Sequence, residues 1–409
     1  MKKKEKYLSQ HKYATWQDAK GYWYTYLPDS SKANGRRKVK KASQSKLQDA
    51  IIAFYMGDEE ARENASATLR SIYPKWLASK EIHTNASGTI QRIDADWRRY
   101  YLPSPEIIDT PVKKLTAEQL DLWIHGIIKQ YSMTKTCYYN MSMIIRQCLD
   151  YAVSTLKILS SNTFREVRIN TKLLQKQIKK DDATQVFLKD EVHKIFEAAM
   201  QEWIDDPDNT APLGIMLDFV TGLRKGELSA LKVTDASLNT LQVCHMERTE
   251  YRVAESGNVV YSGLTVVDGA KTQAGIRSVP LVPLAKEIVA EVLAVNKRNG
   301  WYDSGFLFLN KKGERMKSWQ FKYRLEKYCD EVGIPRKSIH KIRKTVISAL
   351  IDSHLSLNEI RKACGHADER TTLGNYCYNR LSRSETADKF DSALTTGNGL
   401  GDFQLSIPV

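Results

Sequence analysis

The sequence predicts a multidomain α+β protein, in which a small N-terminal sheet with one helix precedes a helical domain and a second, mostly α domain. Three observations predict it. The chain has 409 residues, which is too long for one ordinary domain. Strand-like runs occur only near the N-terminus and in the middle of the last part of the chain. Elsewhere, apolar residues recur at helical spacing.

Residues 1–58 are predicted to form a small three-stranded sheet braced by one helix. Aromatic and polar residues alternate in Tyr22–Leu27, as in a short strand. The Asn-Gly pair at 34–35 indicates a hairpin turn, and Arg36–Lys41 is the expected returning strand. A capping pattern that begins at Ser45 predicts the start of the helix.

The returning strand is strongly basic, with the cations Arg36, Arg37, Lys38, Lys40 and Lys41. A β-ribbon of this kind fits the DNA major groove, where arginine and lysine neutralise phosphates. The alternative is a solvated, charged strand edge that discourages aggregation. We favour the DNA interpretation because it agrees with the charge of the whole chain.

The formal net charge is +14 and the pI is about 9.3, which favours a polyanionic partner. Nucleic acid is the first candidate, and an anionic membrane surface is the second. The basic start of the chain is not followed by an apolar run, and no segment is apolar enough to span a bilayer. We therefore expect a cytoplasmic protein without membrane segments.

The chain contains six cysteines, which show neither CxxC pairing nor metal-like clustering with histidine. We expect reduced thiols that serve mostly in packing, and no metal site.

Residues 60–170 are predicted to be helical, with a long helix from Thr134 to Leu156. Lys135, near the start of that helix, is a candidate phosphate contact, although a solvated helix end explains it equally well. Residues 171–184 are basic and poor in apolar groups, as in an exposed linker. Such a linker could follow a DNA backbone from one side of a duplex to the other.

The last part, residues 185–390, begins with helices. A buried helix is expected to end at Gly222, so that Arg224 lies on the turn before Glu227. Three strand-like runs then predict a three-stranded antiparallel sheet, at residues 241–253, 259–267 and 276–281. The remainder is expected to be helical up to a Gly-, Ser- and Thr-rich tail, residues 391–409.

Six residues of this part form a set suited to breaking a phosphodiester: Arg224, Lys271, His340, Arg343, His366 and Tyr376. Tyrosine attack on phosphorus spreads negative charge over the non-bridging oxygens, and fixed cations stabilise that charge. Arginine suits this task because its guanidinium stays charged and grips two oxygens in a fork.

The other residues of the set are suited to proton transfer and to attack. His340 and Arg343 are spaced i, i+3 on a predicted helix, so they point from one face. Lys271 lies in a polar hairpin turn, from which it could protonate the leaving oxygen. His366 follows the helix-stopping Gly365 and is therefore expected on a defined turn.

These motifs, in this order, resemble the catalytic domain of the tyrosine recombinases, the phage integrase family: TGxRxGE, a hairpin lysine, HxxR and GH-x9-Y. The three-part layout is similar to that of integrases of conjugative transposons and temperate phages. By this resemblance, Tyr376 is the nucleophile and Glu227 orients the first arginine. Tyr378 competes for the role of nucleophile, but the ten-residue step from His366 favours Tyr376.

The resemblance also implies a domain plan. Residues 1–58 are an arm-type DNA-binding domain, 60–170 a helical core-binding (SAM-like) domain, 171–184 a linker, and 185–390 the catalytic domain. For the tail, residues 391–409, packing on a neighbouring protomer and a frayed terminus are both open.

The implied activity is site-specific recombination that integrates or excises a mobile element such as a transposon. The reaction passes through a 3′-phosphotyrosyl intermediate and a Holliday junction, in a homotetramer on double-stranded DNA with core and arm sites. It needs no cofactor and no metal, and an excisionase and a host DNA-bending protein are the implied accessory partners. The implied location is the bacterial cytoplasm, at the nucleoid when bound. The alternatives are a catalytically inactive DNA-binding relative and an enzyme like type IB topoisomerases.

Overall fold

The computed structural model describes residues 3–176, 178, 180–269, 273–301, 304–365 and 378–396. The chain divides into two compact units. The first comprises residues 1–177 together with 251–260, and the second comprises 178–250 together with 261–409.

The first unit begins with a small sheet and its bracing helix: α1 Lys3–Ser9, β1 Trp16–Gln17, β2 Trp23–Pro28, β3 Arg36–Lys41 and α2 Gln44–Ser66. The strand order is β1-β2-β3, and both pairs are antiparallel. The predicted three-stranded sheet with one helix is confirmed. Its core consists of Leu27 from β2 with Leu47 and Ile51 from α2.

Helix α2 differs from the prediction at both ends. Its N-cap is Ser43, whose hydroxyl accepts the Lys46 N–H, so the helix begins before the predicted Ser45. It then continues for 23 residues, through the boundary predicted at residues 58–60.

After α2 the chain forms five further helices up to Ser154: α3 Leu69–Ile82, α4 Ser87–Asp96, α5 Pro105–Ile108, α6 Ala117–Gln130 and α7 Lys135–Ser154. A π-helical turn, Trp97–Tyr101, extends α4. The ring of Trp97 stacks on Tyr73 at 3.9 Å and on Tyr101 at 4.9 Å between centroids, in the middle of the core. The long helix predicted from Thr134 is confirmed, and the Thr134 hydroxyl caps α7.

The predicted linker does not lie entirely free of the first unit. Leu173 and Leu174 pack against its hydrophobic core. The Gln175 N–H donates to the Met133 carbonyl at 2.8 Å. The chain is therefore attached to the helical part up to this point.

The helices of the second unit are α8 Asp182–Gln185, α9 Lys189–Asp205, α10 Ala211–Thr221, α11 Lys225–Leu228, α12 Pro283–Arg298, α13 Ser318–Glu331, α14 Ile339–Asp352, α15 Leu357–Cys364 and α16 Arg383–Asp391. Helix α10 is central, because it packs against α9, α12, α13 and α14. The predicted buried helix before Gly222 is thus confirmed.

The strands that follow α11 in the chain are β4 Thr240–Val243, β5 His245–Val253, β6 Val259–Asp268 and β7 Arg277–Pro280. They form two separate two-stranded sheets, β4-β7 and β5-β6, so the predicted single three-stranded sheet was wrong. The predicted strand 241–253 is interrupted at Cys244, where the carbonyl accepts the Gly269 N–H at 2.6 Å. Beyond this interruption the strand takes a different partner.

Candidate functional site

The carboxyl end of α15 is the point on which the candidate site is built. Ser356 caps the start of this helix by accepting the Glu359 N–H, and Gly365 ends it in the left-handed region at φ 64°. Three arginines bind its last three carbonyls. Arg277 donates to Ala363, Arg343 to Cys364 and Arg224 to Gly365. The carbonyls at the end of a helix carry partial negative charge, which favours cations there.

Gly365 also permits a close approach of two chain segments. A Cβ at this position would lie 2.7 Å from the Ala274 carbonyl oxygen and 3.0 Å from Cδ of Arg277. Any side chain here would therefore push α15 away from the segment that precedes β7. In the sequence, the residue that follows Gly365 is His366.

Arg224 lies on the turn predicted from the sequence. Gly222 ends α10 at φ 62°, where a Cβ would lie 3.0 Å from Cγ1 of Val346 in α14, and Arg224 is the N-cap residue of α11. Its Nη1 donates to Oε1 of Glu227 at 2.6 Å, and its Nη2 donates to the Gly365 carbonyl at 3.0 Å. Because its side chain is 28% exposed, the guanidinium is both held and accessible.

Arg343 is a fully buried cation. Its Nη1 donates to the Gly222 carbonyl at 2.7 Å, and its Nη2 donates to the Cys364 carbonyl. It thus joins the ends of α10 and α15. Burial lowers the pKa of Arg343, and the neighbouring charge of Arg224 adds to this effect. The guanidinium nevertheless stays protonated, because the ordinary arginine pKa lies far above neutral pH.

Glu227 lies between two arginines, of which only Arg224 was predicted from the sequence. The second is Arg277, which donates to both carboxylate oxygens of Glu227, at 3.1 and 2.9 Å. Burial alone would raise the pKa of Glu227, but the hydrogen bonds and charges of Arg277 and Arg224 hold it below its ordinary value. The carboxylate is therefore ionised at neutral pH, and it fixes both guanidinium groups.

Only one signal in the sequence set Arg277 apart from the other basic residues. It lies 50 positions from Glu227 and 86 from Ala363. The one available signal was its place in β7, six residues after Lys271, in a strand otherwise lined with small and apolar groups.

His340 lies one turn before Arg343 on α14, as the spacing predicted. His340 as a whole residue is exposed at the surface, but neighbouring atoms partly bury its ring. This burial lowers the pKa of His340, and the positive charges of Arg343, Lys344 and Arg224 lower it further. The ring is therefore neutral at pH 7 and able to give or take a proton.

Three of the candidate residues, Lys271, His366 and Tyr376, lie outside the described residues. Tyr378, the competitor of Tyr376, is described. Its hydroxyl accepts a hydrogen bond from Nζ of Lys344 at 2.9 Å, and this ammonium also lies 4.6 Å from the centroid of its ring.

The arginine cluster, defined here as Arg224, Arg277 and Arg343, carries three positive charges against the single negative charge of Glu227. It keeps a net charge of about +2, because arginine stays protonated. Pre-positioned cations of this kind stabilise negative charge that develops on a phosphoryl group. The cluster is therefore suited to phosphate chemistry.

A second basic surface lies on the N-terminal sheet. In β3, alternate cations lie over aromatic rings: Arg36 over Tyr26 at 4.4 Å, Lys38 over Tyr24 at 4.5 Å and Lys40 over Tyr22 at 3.6 Å. This face is opposite to the one that carries the buried Leu27. We call Arg36, Lys38 and Lys40 the ribbon cations.

The other predicted DNA contacts are arranged differently. Arg37 and Lys41 alternate with the ribbon cations, so they point to the other face of the sheet. Lys135 is exposed at the start of α7, apart from the sheet. In the part of the chain that the structure describes, no helix has both the length and the apolar character needed to cross a membrane.

The sequence matches a known family model over its second half. Residues 185–383 match the model of the phage integrase family. The integrase of Staphylococcus phage L54a is 30% identical over 161 residues, which are 39% of this chain and 45% of that protein. A XerC-like tyrosine recombinase of Caldanaerobacter subterraneus is 22% identical over 352 residues, covering 83% of this chain and 86% of the relative.

Two solved structures share the fold. The integrase of transposon Tn1549, in complex with a circular intermediate DNA, superposes with a TM-score of 0.54 at 15% identity and covers 80% of this chain and 99% of that one. The lambda integrase tetramer bound to a Holliday junction gives a TM-score of 0.51 at 14% identity, covering 90% and 95%. The recombinase fold predicted from the motifs is thus confirmed. Over residues 185–383, this chain is therefore similar to the phage integrase family and to tyrosine recombinases.

Proposed function

We propose that this chain is a site-specific DNA recombinase that cuts and rejoins DNA through a tyrosine. The observation that carries the proposal is the convergence of Arg224, Arg277 and Arg343 on the end of α15, directly before His366. Tyrosine attack on a phosphodiester requires excess positive charge near the reacting phosphate. The arginine cluster supplies such charge directly before a His-x9-Tyr segment of the sequence.

The proposed reaction begins at Tyr376. Its oxygen forms a bond to phosphorus while the bond from phosphorus to the 5′ oxygen breaks, which leaves a 3′-phosphotyrosyl intermediate. The tyrosine proton passes to a basic group, for which His340 and His366 are the candidates, and Lys271 protonates the 5′ oxygen. The 5′ hydroxyl of the other duplex then attacks the phosphotyrosine, and the same transfers run in reverse.

Arg224 and Arg343 are proposed to stabilise the charge of the phosphate in different ways, because they differ in exposure. Arg224 is partly exposed, so it can bind a non-bridging oxygen directly, and Glu227 holds it in place. Arg343 is fully buried, so it reaches phosphate only if the atoms that now cover it move when DNA binds. Until then it secures the position of α15 through the Cys364 carbonyl. This division accounts for two arginines with different exposure in one site.

Substrate and assembly follow from the same proposal. Double-stranded DNA is bound at core sites by the helical and catalytic parts and at arm sites by the ribbon cations. The chain acts as a homotetramer, and it integrates or excises a mobile element with an excisionase and a host DNA-bending protein as accessory factors. The Tn1549 and lambda integrase structures, solved with DNA, support this plan. The reaction takes place in the bacterial cytoplasm, at the nucleoid.

The test uses nicked duplexes that cover the DNA flanking this gene, so that a cleaved strand end diffuses away and traps the intermediate. Wild type, Tyr376→Phe and Tyr378→Phe are compared for a protein–DNA adduct that survives denaturant, in the presence of EDTA. We expect the adduct in wild type and in Tyr378→Phe, and its loss in Tyr376→Phe.

The other outcomes are equally informative. Loss of the adduct only in Tyr378→Phe would move the nucleophile by two residues and keep the recombinase. Binding to a site without any adduct in wild type would instead indicate a catalytically inactive DNA-binding relative. Relaxation of supercoiled plasmid without strand exchange would indicate the topoisomerase alternative.

A further inference from the structure

Three potential metal ligands meet where β4 passes into β5. Asp235 ends a short 3₁₀ helix, Val233–Asp235, and Cys244 and His245 stand at the junction of the two strands. Their donor atoms all lie within 4.8 Å of one another. The sequence does not reveal this cluster, because Asp235 is nine positions from Cys244 and ten from His245.

The distances within this cluster, which we call the Asp-Cys-His triangle, are close to those of a metal site. Cys244 Sγ lies 3.3 Å from Asp235 Oδ1 and 3.3 Å from His245 Nδ1, and His245 Nδ1 lies 3.0 Å from Asp235 Oδ2. Ligands at ordinary zinc bond lengths and tetrahedral angles are separated by about 3.4–3.6 Å. A shift of a few tenths of an ångström would therefore open the triangle around an ion.

The groups around the triangle also suit a metal site. His245 turns its other ring nitrogen, Nε2, toward Oδ1 of Asp268 at 3.4 Å, the carboxylate contact that commonly orients a metal-bound histidine. The Lys232 N–H donates to Oδ2 of Asp235 at 2.8 Å and fixes that carboxylate. The side chains of Asp235 and His245 are only 5% and 13% exposed, so the ligands are pre-positioned.

We propose that Asp235, Cys244 and His245 bind a divalent transition metal ion of the zinc class, with a solvent molecule as the fourth ligand. On binding, the Cys244 thiol releases its proton to solvent. The proton on His245 Nδ1 moves to Nε2, where Asp268 accepts a hydrogen bond from it. One thiolate and one carboxylate then balance the charge of the ion.

The ligand types decide the class of metal. A thiolate and an imidazole are soft and intermediate donors that favour zinc or cobalt, whereas magnesium and calcium need oxygen ligands. The competing explanation is a purely hydrogen-bonded network, in which Asp235 accepts hydrogen bonds from both Cys244 and His245. The metal site and the hydrogen-bonded network differ in one measurable respect, which is whether an added ion binds to Sγ of Cys244.

A bound ion would join two chain segments and would lie next to a third. It would link the 3₁₀ helix of Asp235 to the junction of β4 and β5. The Cys244 carbonyl already accepts the Gly269 N–H, which begins the segment leading from β6 to Lys271. None of the three ligands belongs to the residues proposed to act on DNA, so binding can be tested without any assay of cleavage.

The test is a cobalt titration of the full-length, tag-free chain after chelator treatment, followed by absorption spectroscopy. We expect one Co²⁺ per chain, a thiolate-to-cobalt charge-transfer band, and loss of the band on addition of Zn²⁺ but not of Mg²⁺. Cys244→Ser should abolish the band. Cys137→Ser is the matched control, because Cys137 is the other partly buried thiol in the described part of the chain, and it should keep the band.

A second variant, Asp268→Asn, keeps the proposal testable if Cys244→Ser does not fold. The Asp268 side chain is 90% exposed, so Asp268→Asn should not disturb the fold. It should weaken the affinity for Co²⁺ about 10–100-fold, the usual effect of removing a carboxylate that orients a ligand histidine. Absence of the band in wild type, or a band that persists in Cys244→Ser, would overturn the proposal in favour of the hydrogen-bonded network.

Discussion

Arg277 donates a hydrogen bond to each oxygen of the buried Glu227 carboxylate, from Nη1 at 3.1 Å and from Nη2 at 2.9 Å. The same guanidinium donates from Nε to the Ala363 carbonyl at 2.7 Å. Glu227 in turn holds Arg224. Arg277 therefore connects β7, the turn that carries Arg224, and the end of α15, so it acts as a positioning residue for the arginine cluster.

Arg277→Ala is expected to destabilise the second unit. It leaves the Glu227 carboxylate buried with one fewer arginine, and breaking such a buried pair costs about 3–5 kcal/mol. Urea unfolding of the full chain measures the change in the free energy of unfolding. The control is Arg298→Ala, whose partner Asp208 is about half exposed. An exposed pair contributes at most about 1 kcal/mol, so equal losses in the two variants would contradict the role given to Arg277.

The Gly365→Ala variant tests whether close packing adds to the cost of backbone strain at this position. An alanine in the left-handed region costs about 1–2 kcal/mol, and at Gly365 the Cβ also meets the Ala274 carbonyl oxygen at 2.7 Å. The matched control is Gly333→Ala, since Gly333 has φ 71° and no described atom within 4 Å of a Cβ. We expect a larger loss of stability in urea unfolding at Gly365, and loss of adduct formation only there. Equal losses of unfolding free energy in the two variants would show that the backbone near Ala274 can shift to accommodate the Cβ at no further cost in stability.

Local signals in the sequence predicted much of this site. Gly222 and Gly365 end their helices in the left-handed region, as glycine at such positions should, and Gly222 leads directly into the turn that carries Arg224. The spacing of His340 and Arg343 predicted their shared helix. These features depend on neighbouring residues along the chain, so a single sequence was sufficient.

The features that were not predicted depend on distant contacts. Arg277 is defined by Glu227 and Ala363, and neither lies near it in the sequence. The interruption at Cys244 depends on Gly269, which the pattern of alternating residues does not reveal. The N-cap of α2 was predicted at Ser45 but is Ser43. The N-cap is the serine whose hydroxyl accepts a free backbone N–H of the first turn, and the sequence contains two candidates.

The stability of the second unit should depend on pH through His340. Its pKa is lowered below the ordinary 6.5 by packing and by nearby cations. The folded state therefore takes up a proton less readily than the unfolded state, and stability falls as the pH drops from about 6.5 toward the folded pKa. In His340→Gln the free energy of unfolding should fall less between about pH 7.5 and 5.5.

The control for this pH dependence is the exposed His193 of α9. His193→Gln should keep the wild-type dependence of the unfolding free energy on pH, measured by urea titration. If His340→Gln keeps it as well, the ring of His340 is solvated more fully than the packing around it indicates.

The ribbon cations should contribute to DNA affinity through charge. Each phosphate that a lysine neutralises adds about 0.9 to the slope of log affinity against log salt, so Lys38→Gln with Lys40→Gln should reduce the slope by up to about 1.8. Lys6→Gln is the control, because Lys6 is already paired with Glu59 at 2.6 Å. Fluorescence anisotropy on flanking DNA over a salt series measures both. The lysines also lie over Tyr24 and Tyr22, so unfolding midpoints must be compared first. An unchanged slope in a folded double variant would indicate a solvated strand edge that DNA does not contact.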